Sequence, residues 1–452
     1  MKKIYFILAI LIALHFLILF KLQFTAWPEM LSFPYLFSHG YIPYKDFVFP
    51  YPPFLVFILS LIYKIFGYKL MALKIFTWLL ILTSDVFIYK IAKSITKKDL
   101  FALLAVIFFI LTQPFLDGNM LWFDTFLVLP VLLAIYFLLK KCLKTNLLLS
   151  GFFLVLAALT KQTAFIYILA AVVFVLTNSK NRIKDIFYLL FPSFTLGLLI
   201  LFYFLMTKSF NDFLNWNIIF PFKYWGSYPS YVQFDLGKVD WLIMAGMATI
   251  FMALLKKQKL IFLMALGSVM AVYPRFSYYH LAMAVALWAI GFAVILKNYY
   301  RKLFIWFGIV AFLFLFSWFK TRIVITWDFG KGDRFSEVDD ASIIQSIDSE
   351  FNSNQKIYLA NINSNVYVYA DRLPPAPWYD NYGWYWEVPG QQEKAISLWS
   401  KNPPAGIYWR DESQGDWYKP GVYRPKLIYN WVQKNYVKEK EIENGVWLWK
   451  KK

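Results

Sequence analysis

Asp46 stands in the stretch His39-Gly40-Tyr41-Ile42-Pro43-Tyr44-Lys45-Asp46-Phe47, shortly before Pro50-Tyr51-Pro52-Pro53. A carboxylate among aromatics and prolines is partly desolvated, which raises its pKa and makes it a better general base. An aspartate in such a stretch also serves to close a turn or open a helix. Asp124, inside an apolar run, is the second acidic candidate. Asp117-Gly118-Asn119 reads as a cap or turn, and Asp85 reads as structural, paired with a nearby lysine. Lys161-Gln162 and Tyr273-Pro274-Arg275-Phe276-Ser277-Tyr278-Tyr279-His280 supply cations suited to an anionic phosphate. Lys161 has a second reading as a snorkelling lipid anchor. His39, Tyr44, Lys45, Gln162 and Tyr279 adjoin these groups and are the candidates for a substrate pocket. The three histidines are scattered, and no Cys/His spacing suggests zinc. A metal requirement is left open, with a divalent cation as the one candidate cofactor.

These residues must be held by a membrane protein. Hydrophobic residues make up 60% of the chain and charged residues 16%, against about 25% charged in soluble domains. The apolar residues fall in blocks near the ~20 that a bilayer demands. The net charge of +19 does not point to nucleic acid, because much of the Lys and Arg excess lies in short loops between apolar blocks, where it sets topology. The single cysteine, Cys142, excludes an intrachain disulfide. Met1-Lys2-Lys3 followed by the apolar run from Ile4 to Phe20 resembles a signal sequence with no small-residue cleavage site, hence an uncleaved first span.

Basic clusters at Lys2-Lys3, Lys93/Lys97/Lys98, Lys140/Lys141/Lys144, Lys180/Arg182/Lys184, Lys256/Lys257/Lys259 and Lys297/Arg301/Lys302 mark the cytoplasmic side. They imply a cytoplasmic N-terminus and about eleven spans, near 4–20, 70–92, 100–116, 120–139, 146–160, 164–177, 186–206, 240–255, 259–273, 281–296 and 303–319. Parity lays residues 53–66 on the outer surface as an interfacial helix and splits 146–177 at Lys161-Gln162. Residues 1–320 then form a transmembrane domain with outer loops at 21–69 and 207–239, the second rich in Trp and Tyr. Residues 321–452 are punctuated by Gly, Pro, Asp and Asn. The pattern predicts helices at Ala341 to Phe351, Gln392 to Ser400 and Pro425 to Tyr436. It also predicts a strand at Lys356 to Asn361 and a hairpin over Val437 to Trp449, turning at Glu443-Asn444-Gly445. The fold class expected is therefore an α-helical polytopic membrane protein with a C-terminal extracytoplasmic α/β domain. That domain should carry Trp378, Tyr379, Tyr382, Trp384, Tyr385 and Trp386 mostly as core.

The stretch HGYIPYKDFVFPYPPFLVFILSLIYKIFG resembles the first outer loop of membrane glycosyltransferases of the C fold, the group of the protein O-mannosyltransferases and the lipid A aminoarabinose transferases. The shared features are a Gly, a Pro-Tyr, an acidic residue, a Pro-Pro and an amphipathic helix ending near Phe-Gly. LAALTKQTAF resembles the fifth-span region of the same proteins. The resemblance implies transfer of a sugar from a polyprenyl-phosphate donor to an acceptor hydroxyl outside the cytoplasm, with inversion and with Asp46 as general base. Lys161, Arg275 and His280 are then the donor-phosphate ligands. The five residues from Phe47 to Tyr51 before Pro52-Pro53 exceed the Glu-Lys-Pro-Pro spacing of the aminoarabinose enzymes, so that substrate is not assigned. Two rival functions remain: a transporter or flippase of lipid-linked glycan, expected to show paired repeats and midplane charges, and a scaffold of cell-envelope assembly.

Overall fold

The computed structural model describes residues 2–140, 143–228, 231–232, 236–255, 258–273, 275–298, 329–415 and 421–452. The expected span at 303–319, Cys142 and several of the marking lysines lie outside these residues. The described chain is mostly helical and divides into two compact units. One comprises Met1–Thr25, Lys74–Leu199 and Phe234–Asp333, the other Ala26–Leu73, Ile200–Gln233 and Arg334–Lys452.

The first unit is built of apolar helices. Four helices are long and apolar enough to cross a membrane: Lys2–Lys21, Leu70–Thr96, Arg182–Met206 and Tyr278–Asn298. Shorter apolar helices cover Asp99–Thr112, Phe123–Leu138, Lys144–Ala158, Phe165–Asn178, Lys238–Leu254 and Lys259–Met270. The break expected at Lys161-Gln162 is present. Lys161 is extended (φ −149°, ψ 134°) between the Lys144–Ala158 helix and a short turn at Gln162–Ala164 that opens the next helix. Most helices here present apolar side chains on every face, as lipid on one side and helix neighbours on the other require. Arg182–Met206 leaves Phe187, Phe194, Leu199 and Phe202 exposed, while Ala284 to Ile290 of Tyr278–Asn298 are buried.

The second unit gathers the first long loop, the aromatic loop and the C-terminal chain. Its sheet runs in the order Ile357–Ala360, Gly406–Arg410, Val446–Lys451, Tyr436–Glu443. The first pair is parallel and the other two are antiparallel. The hairpin turns at Gly445 with φ +76°, a left-handed position that suits glycine. The helices Ala341–Glu350, Gln391–Trp399 and Lys426–Asn435 lie where the pattern puts them. The strand Gly406–Arg410 was not foreseen. It is a central strand buried along nearly its whole length, so it lacks the alternation that marks a half-exposed strand. Trp378, Tyr379, Trp384, Tyr385 and Trp386 are core, and Tyr382 is half-buried. In the first loop, Phe54–Phe66 buries Leu55, Val56, Leu59 and Tyr63 and exposes Leu61, Ile65 and Phe66.

Candidate active site

In the helical unit, three of the singled-out side chains meet. Asp124 lies in the first turn of Phe123–Leu138, Lys161 in the helix break, and His280 in the turn Tyr278–Leu281. The Lys161 Nζ donates to both carboxylate oxygens of Asp124, at 2.8 and 2.7 Å. His280 Nδ1 is 3.0 Å from Asp124 Oδ2 and 3.2 Å from Lys161 Nζ. Nδ1 thus faces an acceptor and a donor, and its proton decides which it serves. Asp124 and Lys161 are 4% and 6% exposed. The break explains the encounter: an uninterrupted helix would satisfy the backbone and sweep Lys161 past, whereas an extended residue lets the lysine turn inward.

A buried ion pair of this kind recovers its desolvation cost only through close geometry and further hydrogen bonds. Asp124, held by Lys161 through both of its oxygens, is therefore a counter-ion to that lysine before it is a base. Arg275 and Asp117 are electrostatic neighbours of Tyr279, and Arg275 also of His280. The Tyr279 ring stacks edge-on against His280 at 4.4 Å and against Trp122 at 5.9 Å. Gln162 is half-buried beside Lys161 in the same break. Asp85 pairs with a histidine, not with a lysine: His15 Nδ1 is 2.8 Å from Asp85 Oδ2. Nothing in local sequence joins residues 70 positions apart, and the lysine reading considered only chain neighbours.

In the second unit, Asp46 closes its own loop. Ile42 N–H donates to Asp46 Oδ2 at 2.8 Å and Asp46 N–H donates to Ile42 O at 2.9 Å. Trp378 N–H donates to Asp46 O at 2.8 Å, and Val48 N–H to Trp378 O at 3.0 Å, so the loop is stitched to the C-terminal chain as a short parallel bridge. Lys45 is exposed. His39 Nδ1 lies 2.9 Å from Tyr35 O, and its ring packs on Tyr35 at 4.3 Å. Tyr44 is 1% exposed and its hydroxyl donates to Tyr51 O at 2.6 Å. It is a core residue held at φ +71°.

A second acidic pair was not foreseen. Glu29, on the helix Pro28–Ser38, and Asp380 are both buried. Tyr382 donates to Glu29 Oε1 at 2.6 Å, while Glu29 Oε2 is buried without a donor among the described residues. Desolvation raises both carboxyls, and the nearby Glu29 charge pushes Asp380 well above the usual carboxylate range. The signal was present: Glu29 is the one acidic residue between Lys21 and Lys45, in an otherwise apolar and aromatic stretch. Among the described residues no group of three or more His, Cys, Asp and Glu side chains could hold a metal ion.

Residues 51–207 match the protein family described as dolichyl-phosphate-mannose-protein mannosyltransferase. The fold is similar to that of ArnT from Cupriavidus metallidurans bound to undecaprenyl phosphate, with a TM-score of 0.60 and 11% identity, covering 98% of this chain and 97% of that one. The apo state of the same protein gives 0.59 and 11% over the same shares. An Archaeoglobus fulgidus oligosaccharyltransferase in complex with Zn and sulfate gives 0.47 and 12%, covering 85% of this chain and 63% of that one. No curated protein matches the sequence.

Proposed function

We propose that this chain, a membrane glycosyltransferase of the C fold, moves a sugar from a polyprenyl-phosphate donor to an acceptor hydroxyl on the extracytoplasmic face, with inversion at the anomeric carbon. The observation that carries the reading is the Asp124–Lys161–His280 cluster, buried in a helical bundle whose fold matches ArnT over nearly the whole chain. The ArnT structure holds undecaprenyl phosphate, a ligand of the chemistry proposed here.

The leaving group is a phosphate, and its developing charge needs preorganised cations. Lys161, with Arg275 nearby, provides them, and His280 is placed to add a hydrogen bond. An arriving phosphate oxygen competes with Asp124 for Lys161, so the resting ion pair stores the lysine in place without leaving it unpaired. Asp46 is the proposed general base. One of its oxygens is committed to Ile42 N–H, which fixes the orientation of the carboxylate. Glu29 is the second reading for the base, favoured by its undonated oxygen and raised pKa.

The test is transfer by the purified protein in liposomes from a series of polyprenyl-phosphate sugars to acceptors supplied as membrane fractions of the source cells. Asp46→Asn and Glu29→Gln are compared at matched thermal stability. If Asp46 is the base, Asp46→Asn loses roughly 10²-fold or more in kcat and Glu29→Gln loses little. The reverse order moves the role to Glu29. Full activity in both variants would remove the general-base reading of this loop.

A further inference from the structure

The helical unit contains a second polar cluster, one that the proposed chemistry does not use. His15 on Lys2–Lys21 and Asp85 on Leu70–Thr96 are both fully buried. His15 Nδ1 is 2.8 Å from Asp85 Oδ2, and its Nε2 is 3.1 Å from Gln113 Oε1. Gln113 ends the helix Asp99–Thr112, and its Nε2–H donates to Gly118 O at 2.8 Å. Ionisable groups in an apolar bundle are costly and are kept where they perform a task.

Counting donors fixes where the protons are. Gly118 O is an acceptor, so the Gln113 amide must point its NH₂ there and its oxygen at His15. Nε2 of His15 therefore carries hydrogen. The other ring nitrogen faces a carboxylate, so a second proton lies between Nδ1 and Asp85 Oδ2. Whichever of the two atoms holds it, His15 and Asp85 together are neutral.

The consequence reaches the phosphate cluster. Gln113 closes the wide turn Pro114–Gly118, in which Asp117 has φ +52°. There is no slack: a Cβ on Gly118 would stand 2.0 Å from Gln113 O and 2.4 Å from Gln113 Nε2. Asn119 then ties the turn to the first helix, its Nδ2 donating to Leu19 O and Leu22 O at 2.9 Å each while its Oδ1 accepts from Trp78 Nε1 at 2.9 Å. The turn packs against Tyr278–Leu281, the segment that carries His280.

We propose that His15, Asp85 and Gln113 are positioning residues that set the 114–119 turn and, through it, the place of His280 beside Lys161 and Asp124. The proposal rests on the reading of that cluster as the donor-phosphate site. Removing both charged partners together, as His15→Phe with Asp85→Leu, leaves an apolar bundle expected to fold. Gln113→Met keeps His15 and Asp85 but removes the acceptor of His15 Nε2 and the donor to Gly118 O, and it reads the same link should the double variant misfold. In either, kcat/KM for the lipid donor, measured well below the melting temperature of each variant, falls roughly tenfold or more. In a His280→Ala background the same change adds nothing, because the two act through one another.

A second readout does not depend on turnover. With three histidines in the chain, ¹⁵N-labelled imidazoles can be assigned by single replacements. His15 should show a protonated Nε2, and the His280 signals should move in Gln113→Met. Unmoved His280 signals together with full kcat/KM would overturn the proposal. If the wild-type protein turns over no polyprenyl-phosphate sugar, the functional reading fails, and the His280 shift alone decides whether the relay exists.

Discussion

Each acidic candidate carries a partner that defines what it can do. Asp124 is buried against Lys161, so removing the lysine alone strands a carboxylate. Lys161→Met should destabilise the protein by about 3–5 kcal/mol. Lys161→Met with Asp124→Leu should regain most of that stability in thermal unfolding while still failing to transfer sugar. A double variant that works would reduce the cluster to a structural pair. Glu29 and Asp380 give a pH prediction. Both carboxyls are raised in the folded state, so folding favours their protonated forms. The stability they contribute is fully present below the unfolded values near 4. It is lost as pH rises through the raised folded values. Melting temperature should therefore fall as pH rises above about 4, and Asp380→Asn should flatten that fall. A slope of opposite sign would show that the pair is held as two carboxylates. Residue types were readable in the sequence, but their pairing was not. Lys161 and His280 were placed at one face by counting basic clusters, whereas His15 with Asp85, and Glu29 with Asp380, join positions that no periodicity relates.

At the scale of elements, punctuation was more legible than length. The break at Lys161-Gln162 follows from charge parity, and the hairpin at Glu443-Asn444-Gly445 follows from turn chemistry. The strand Gly406–Arg410 escaped because a central buried strand shows no alternation. Close helix contacts also escape a reading of hydropathy, since they depend on which small residue faces which backbone. Gly151 is such a site: a Cβ there would stand 1.9 Å from Leu189 O, on the helix Arg182–Met206. Gly151→Ala should cost about 1–3 kcal/mol, read as a lower melting temperature in detergent. Gly197→Ala, on the same helix with nothing within 4 Å among the described residues, should be neutral or better. Equal effects at the two positions would contradict the packing assigned here.

For the whole molecule, orientation and chemistry are separate questions. The orientation we propose from the basic clusters puts the N-terminus in the cytoplasm and the C-terminal chain outside. Asn444 is exposed at the hairpin turn. Asn444→Cys in a Cys142→Ser background should therefore react with an impermeant thiol reagent on intact cells, and protection there would invert the topology. The rivals to sugar transfer differ in what becomes of the donor. A flippase moves the lipid-linked sugar across the bilayer unchanged, and a scaffold leaves it alone. A transferase breaks the bond between sugar and phosphate. The most direct measurement is the chemical fate of a polyprenyl-phosphate sugar reconstituted with the protein in liposomes and supplied with membrane fractions of the source cells as the source of acceptor hydroxyls, followed by mass spectrometry of the extracted lipid. The account predicts that free polyprenyl phosphate accumulates with time in proportion to protein, and that Arg275→Lys slows its appearance without abolishing it, because a point charge replaces a fork of donors. Donor recovered intact across the sugar series, with the protein folded and inserted, would contradict it.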